Sequence, residues 1–308
     1  MIRFRELIAA TYTAYDNSGD INTNPIPVYA NHLKRSGVTG VFVNGTTGEG
    51  LSLTIDERRT LAESWVKEKG DNFRVLIHVG HNSIREAQVL AKHAAEIKAD
   101  GIGAMGPTFF RPKQLHELLN FNESIASSAP DLPFYYYHIP SMTGIQFQMI
   151  DFLEQAAGRL PNLEGIKFTG SDLMDMKSCV NFQDGKYRIL HGRDEILLSG
   201  LVLGVTGAIG STYNYLAPLF QQLISAFKSG NLTEADLWQS KAINIIRVLL
   251  KYGGGISAGK AIMGLIGLKF GPPRLPVAAV SPEQMKNLRH EMDALGFFEL
   301  LTDLPINA

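Results

Sequence analysis

From Leu7 to about Pro218 the chain alternates short apolar runs, rich in β-branched and aromatic residues, with longer segments whose apolar positions recur at helical spacing. The runs predict eight strands: Leu7 to Thr13, Val38 to Asn44, Arg74 to Val79, Gly101 to Gly106, Phe134 to Ile139, Leu163 to Phe168, Tyr187 to His191 and Gly207 to Gly210. Between them, segments such as Ile55 to Lys69 and Ile84 to Ala99 are amphipathic. Thr54, Ser83 and Asp172 stand where side chains cap helix N-termini, and Thr54 with Glu57 fits a capping box. Eight βα units in roughly two hundred residues match a closed (β/α)8 barrel, an α/β fold of typically about 250 residues. A doubly wound open sheet is the alternative. Against it, no G-x-G-x-x-G follows the first strand, and the turn from Gly45 to Gly50 follows the second with different spacing.

After Pro218 the alternation stops. Leu219 to Ser229, Glu234 to Lys251, Lys260 to Leu268 and Pro282 to Leu295 read as helices, joined by Gly253-Gly254-Gly255 and Gly271-Pro272-Pro273. The first is the barrel's last helix, so residues 1–230 are expected to form the barrel and 231–308 a helical extension packed on it.

Of the 308 residues 45% are hydrophobic, enough for a core without covalent staples, and the formal charge of −1 offers no basic field for nucleic acid or an anionic membrane. A small-molecule partner is expected. The single cysteine, Cys179, rules out an internal disulfide framework and reads as a packing residue. The start from Met1 to Glu6 has no long apolar segment, and the apolar runs break short of a membrane span; a reducing, cytoplasmic setting is expected.

Barrel chemistry belongs at the C-terminal ends of the strands. In Leu163 to Thr169, alternation puts Gly165, Lys167 and Thr169 on one side and apolar Ile166 and Phe168 on the other. If the apolar side meets covering helices, Lys167 points inside, where desolvation disfavours its ammonium form and leaves a nucleophilic amine. The alternative is a surface lysine on an edge strand. After the second strand, Gly45-Thr46-Thr47-Gly48-Glu49-Gly50 could turn backbone N–H groups and two hydroxyls towards a carboxylate, or could be an ordinary strand-to-helix turn. Tyr137, at the end of Phe134-Tyr135-Tyr136-Tyr137-His138, could shuttle a proton, whereas Tyr135 and Tyr136 read as packing. Past the seventh and eighth strands, Gly192-Arg193-Asp194-Glu195 and Gly210-Ser211-Thr212 suit the hydroxyls of a polyol, unless Asp194 and Ser211 merely cap the helices that follow. His78 and His81 lack the neighbours that would complete a metal set.

Three of these pieces, Gly45-Thr46-Thr47-Gly48-Glu49, Tyr137-His138-Ile139-Pro140 and Gly165-Ile166-Lys167, occur in the order and at the spacing of the pyruvate-dependent class I aldolases, the dihydrodipicolinate synthase and N-acetylneuraminate lyase family, and the chain resembles that family over nearly its whole length. The resemblance implies a Schiff base between Lys167 and pyruvate or a pyruvate-derived sugar acid, with neither metal nor organic cofactor. It implies that Tyr137 moves the proton, that Thr46 and Thr47 hold the substrate carboxylate, and that Thr169 lines the same pocket. Met142 stands near where the synthases carry a carboxylate-binding arginine, and Met142 cannot make that bidentate contact. Gly192, Asp194, Glu195 and Ser211 instead resemble the sialic acid branch, where they would bind the sugar's hydroxylated tail. The implied reaction is reversible cleavage of N-acetylneuraminate to N-acetylmannosamine and pyruvate by a homotetramer. An aldolase or synthase for another keto-deoxy sugar acid or aldehyde, and a barrel that binds without turnover, are the alternatives. Where many relatives have a tyrosine reaching a neighbouring subunit, this chain has Phe109 and Phe110, which can pack there but cannot pass a proton.

Overall fold

The computed structural model describes residues 4–302; Met1–Arg3, within the stretch read above for a leader, and the end of the expected extension, 303–308, lie outside them. Eight parallel strands pair in chain order: β1 (Glu6–Ala10), β2 (Gly40–Val43), β3 (Arg74–His78), β4 (Gly101–Ala104), β5 (Phe134–His138), β6 (Leu163–Phe168), β7 (Arg188–His191) and β8 (Gly207–Gly210). The ring closes through β1, whose Ile8 faces Gly40 on one side and Ile209 on the other. The expected (β/α)8 barrel is the architecture, and no edge strand remains for an open sheet.

Around it run α1 (Ile26–Arg35), α2 (Ile55–Val66), α3 (Ile84–Glu96), α4 (Leu115–Ala126), the short α5 (Pro140–Thr143), α6 (Met149–Ala156), α7 (Leu173–Asn181), α8 (Leu197–Leu203) and α9 (Tyr213–Lys228). A helical C-terminal part follows: α10 (Leu232–Lys251), α11 (Gly254–Leu265), α12 (Pro282–Ala294) and α13 (Glu299–Thr302). No helix among the described residues is long and apolar enough to cross a membrane. The caps at Thr54, Ser83 and Asp172 form, with Thr54 and Glu57 in a reciprocal box.

Several boundaries differ from the sequence pattern, each for a local reason. β1 ends at Ala10 rather than Thr13, because the chain beyond leaves the ladder to hold a neighbouring loop: Thr13 Oγ1 donates to Gly48 O at 2.7 Å. α9 begins before Pro218 and runs through it. Proline has no N–H for the carbonyl of Asn214, and His32 Nε2 meets that carbonyl at 2.9 Å instead. α11 opens at Gly254 rather than Lys260: the glycine run read as a joint supplies its N-cap, Gly253.

Each strand separates two apolar regions. Outward residues such as Ile166, Phe168, Val41 and Ile77 pack under the helices, while Ile8, Phe42, Leu76, Tyr135, Tyr137 and Leu190 fill the lumen. Full burial of a side chain the size of Ile166 or Phe168 is worth about 1.5–3 kcal/mol, so this outer layer carries much of the fold's stability. At the N-terminal end the lumen is plugged by Glu6 between Arg74 (3.2 Å) and Arg188 (2.5 Å). The lumen therefore opens at the C-terminal strand ends.

Candidate active site

Lys167 is the fifth residue of β6 and points into the lumen, 4% exposed, so the surface-lysine alternative falls. β5 pairs with β6 so that Tyr137 stands directly opposite it. The amine lies over the faces of two rings, 3.8 Å from the Tyr137 centroid and 4.4 Å from that of Phe42. Among the described residues no carboxylate comes within ion-pair distance of it. The Tyr137 hydroxyl reaches Thr46 Oγ1 at 3.4 Å, which brings nucleophile, phenol and the glycine-rich turn into one cluster.

That turn leaves β2 through Asn44 and Glu49, both at positive φ (60° and 55°). Its own bonds, Glu49 N–H to Thr46 O and Gly50 N–H to Gly45 O, both 3.0 Å, fold it into a compact loop. The N–H groups of Thr46 and Thr47 enter none of the backbone bonds found there among the described residues, so with their hydroxyls they can serve an anion. Beneath the loop, His78 Nδ1 meets Asn44 O at 3.1 Å, and burial holds this imidazole well below its usual range. His81 sits apart on a turn, accepting from Ser83 N–H at 3.0 Å.

The opposite rim is built by the loops after β7 and β8. Asp194 is 5% exposed; its Oδ2 accepts from Thr212 N–H (2.9 Å) and Thr212 Oγ1 (2.6 Å). Burial raises its pKa to about 6, although the Thr212 donors pull the other way. Asp194 therefore ties its loop to the start of α9 instead of capping the turn it opens, and Ser211 makes no cap bond to α9. A β-carbon at Gly210 would fall 1.7 Å from Asp194 Oδ1, so the close approach requires glycine. Glu195 is half-buried and pairs with Arg193 Nε at 2.9 Å.

One cavity of ≈ 640 Å³ brings together Lys167, Tyr137, Thr46 and Thr47 with Gly192, Asp194, Glu195 and Ser211. Met142 lies on its wall. Thr169 is not on that wall. It lines an adjoining cavity of ≈ 660 Å³ with His138, which burial pushes down to about 4, and the two spaces meet at Gly192 and Glu195. β6 ends at Phe168, so strand alternation no longer aims Thr169 beside the lysine. Its Oγ1 packs where a β-carbon on Gly192 would come within 2.0 Å.

Three contributions escaped sequence reasoning. Phe42 supplies the second ring under the amine; alternation along β2 could have found it. The helical C-terminal part walls the cavity through Ile246, Arg247, Ile256 and Val277. Lys260 on α11 ion-pairs with Glu49 of the motif loop, a contact that no local spacing encodes. Phe109 and Phe110 pack edge to face at 4.9 Å and are 78% and 85% exposed, away from both cavities. Cys179 is buried in α7.

Residues 3–295 match the Dihydrodipicolinate synthetase family. The chain belongs to that family. Within this family it is 44% identical over 299 residues to N-acetylneuraminate lyase of Rattus norvegicus, covering 96% of this chain and 93% of that protein. Among solved structures, Proteus mirabilis N-acetylneuraminate lyase superposes with a TM-score of 0.92 at 39% identity, over 96% of this chain and 99% of that one. A catalytic lysine mutant of Ruminococcus gnavus sialic acid aldolase superposes with a TM-score of 0.91 at 26% identity, covering 98% of each.

Proposed function

We propose that this chain is a class I aldolase, a carbon–carbon lyase that cleaves N-acetylneuraminate reversibly to N-acetylmannosamine and pyruvate. The observation that carries the reading is the single cavity in which a buried lysine faces a tyrosine, with a glycine- and threonine-lined anion site on one side and the acidic rim after β7 and β8 on the other. The likeness to sialic acid lyases over nearly the full chain supports the substrate.

In this reaction the Lys167 amine attacks C2 of the open-chain sugar acid, and loss of water gives a protonated imine, an electron sink. Thr46 and Thr47 hold the C1 carboxylate by hydroxyl and N–H. Tyr137, directly opposite the lysine, relays the proton of the C4 hydroxyl as the C3–C4 bond breaks: its oxygen takes that proton while its own O–H proton passes to the substrate carboxylate held by Thr46 and Thr47. N-acetylmannosamine leaves as the aldehyde. The enamine left on Lys167 is protonated at C3, and water hydrolyses the imine to release pyruvate. Gly192, Asp194, Glu195 and Ser211 receive the polyol tail, and Thr169 contributes from the adjoining cavity across Gly192. Of the described residues, those up to 230 form the catalytic barrel and those from 231 its extension. The enzyme works in the cytoplasm as a homotetramer, with the exposed Phe109–Phe110 pair packing on a neighbouring subunit.

The test is mass spectrometry after incubation with N-acetylneuraminate and borohydride, with no pyruvate added. A pyruvyl-sized adduct on Lys167 is expected. An adduct the size of the whole sugar would mean capture without cleavage; an adduct from added pyruvate alone would keep the chemistry and remove the substrate.

A further inference from the structure

Behind the Thr46–Thr47 turn lies a charged group that the proposed reaction does not use. Glu49, the last side chain of the motif loop, points away from the cavity into the C-terminal part. Its Oε1 pairs with Lys260 Nζ of α11 at 2.6 Å, both side chains being 2% exposed, and its Oε2 accepts the backbone N–H of Arg274 at 2.7 Å. Lys260 also lies 4.2 Å over the Tyr15 ring and reaches Pro272 O at 3.4 Å. A second tie runs in parallel. The Arg274 guanidinium ion-pairs with Glu57 at the start of α2 and donates to Gly19 O (2.7 Å) and Ser52 O (3.1 Å).

Glu49 sits at φ 55°, a conformation that side-chain-bearing residues hold only when their surroundings over-determine it. Glycine would adopt that φ more readily, so what the position gains from glutamate is the contact its carboxylate makes. The same residue donates its N–H to Thr46 O, which places the buried ion pair one hydrogen bond from the turn assigned to the substrate carboxylate. Thr46 Oγ1 in turn lies 3.4 Å from the Tyr137 hydroxyl.

We propose that Lys260, acting through Glu49, is a positioning residue: it holds the Thr46–Thr47 turn at the height that seats the pyruvate carboxylate beside Lys167. The inference rests on the aldolase reading above. Its signature is selective, because the polyol rim is built from other loops. Loosening the pair weakens capture of pyruvate and leaves affinity for N-acetylmannosamine nearly unchanged.

The test compares the parent with Lys260→Met, Lys260→Arg and the double variant Glu49→Gln/Lys260→Met. The double variant carries no unpaired buried charge, so it remains informative if the single methionine variant fails to fold. Each is reduced with borohydride at graded pyruvate concentrations and the Lys167 adduct is read by mass spectrometry; condensation kinetics supply KM for N-acetylmannosamine, and thermal melts monitor the fold. The expected result in the double variant is a rise of about tenfold or more in half-saturating pyruvate, with KM for N-acetylmannosamine within about threefold of the parent and recovery in Lys260→Arg. Parent-like pyruvate capture in the folded double variant overturns the proposal. So does a parallel loss of both affinities that tracks a lowered melting temperature, the mark of a merely structural pair. Failure of the parent itself to form the pyruvate adduct would instead overturn the aldolase reading, and this inference with it.

Discussion

Replacing Asp194 by asparagine should make the protein more stable at neutral pH while weakening its hold on the sugar. Burial sets the folded pKa of Asp194 near 6 against an ordinary 3.8, so between those values the native state keeps a proton that the unfolded chain has released. Stability from this group is therefore greatest in acid, falls as pH rises through that window, and the cost is complete above about pH 7. At about 1.4 kcal/mol for each tenfold in proton affinity, the gap amounts to about 3 kcal/mol. Asparagine never ionises and still offers an oxygen to Thr212, but its bonds to the N–H (2.9 Å) and Oγ1 (2.6 Å) are weaker than a carboxylate's. Allowing about 1 kcal/mol for that loss leaves a net gain of about 2 kcal/mol, which corresponds to a rise in Tm of roughly 3 °C. The assay is a pair of melting series, parent and Asp194→Asn, from about pH 5 to about pH 8. The two should differ little at the acid end, with the variant ahead at the alkaline end. A pH-independent difference, or a variant less stable at alkaline pH, would refute the assignment of a desolvated carboxylate. In the same protein KM for N-acetylneuraminate should rise while imine formation with pyruvate persists; equal loss of both would make Asp194 a structural residue alone.

Three further outcomes follow from the geometry. Lys167→Ala should fold, because the outer face of β6 is untouched, and should lose both turnover and the reducible adduct; appreciable lyase activity would sink the Schiff-base assignment. Tyr137→Phe keeps the ring under the amine but removes the hydroxyl near Thr46, so kcat should fall by about 10²–10⁴ while borohydride still traps pyruvate on Lys167. Gly192→Ala places a methyl 2.0 Å from Thr169 Oγ1, which must shift at a cost of about 1–3 kcal/mol; loss of sugar affinity with pyruvate capture intact is expected, and an unchanged KM for N-acetylneuraminate would contradict the packing described at that rim.

The barrel was legible because parallel strands buried on both faces read as apolar runs, and the positions of Lys167, Tyr137 and the glycine-rich turn followed once those runs were counted. What escaped was set by contacts between distant parts of the chain. Pro218 marks a boundary only if nothing else serves the carbonyl it orphans, and His32 does so from α1. Thr169 follows strand alternation on paper, but the ladder ends one residue earlier. Asp194 could have been a cap or a sugar ligand; its partner, Thr212, becomes visible only when the loops after β7 and β8 are adjacent. Lys260 looked like the first residue of a helix, and nothing near it hints that its amine is buried against Glu49.

The division of each strand into a packed outer face and a working inner end also bears on how such a molecule can change over generations. The residues proposed to meet the substrate, Thr46 and Thr47 at its carboxylate and Asp194, Glu195 and Ser211 at its sugar tail, all stand in segments beyond the strands, whereas the residues that hold the barrel shut point the other way. A lineage can therefore exchange one acceptor sugar or aldehyde for another by altering loops, leaving the hydrogen-bonded ring and Lys167 as they are. Inheritance of the chemistry and diversification of its targets fall on different atoms of the same polypeptide.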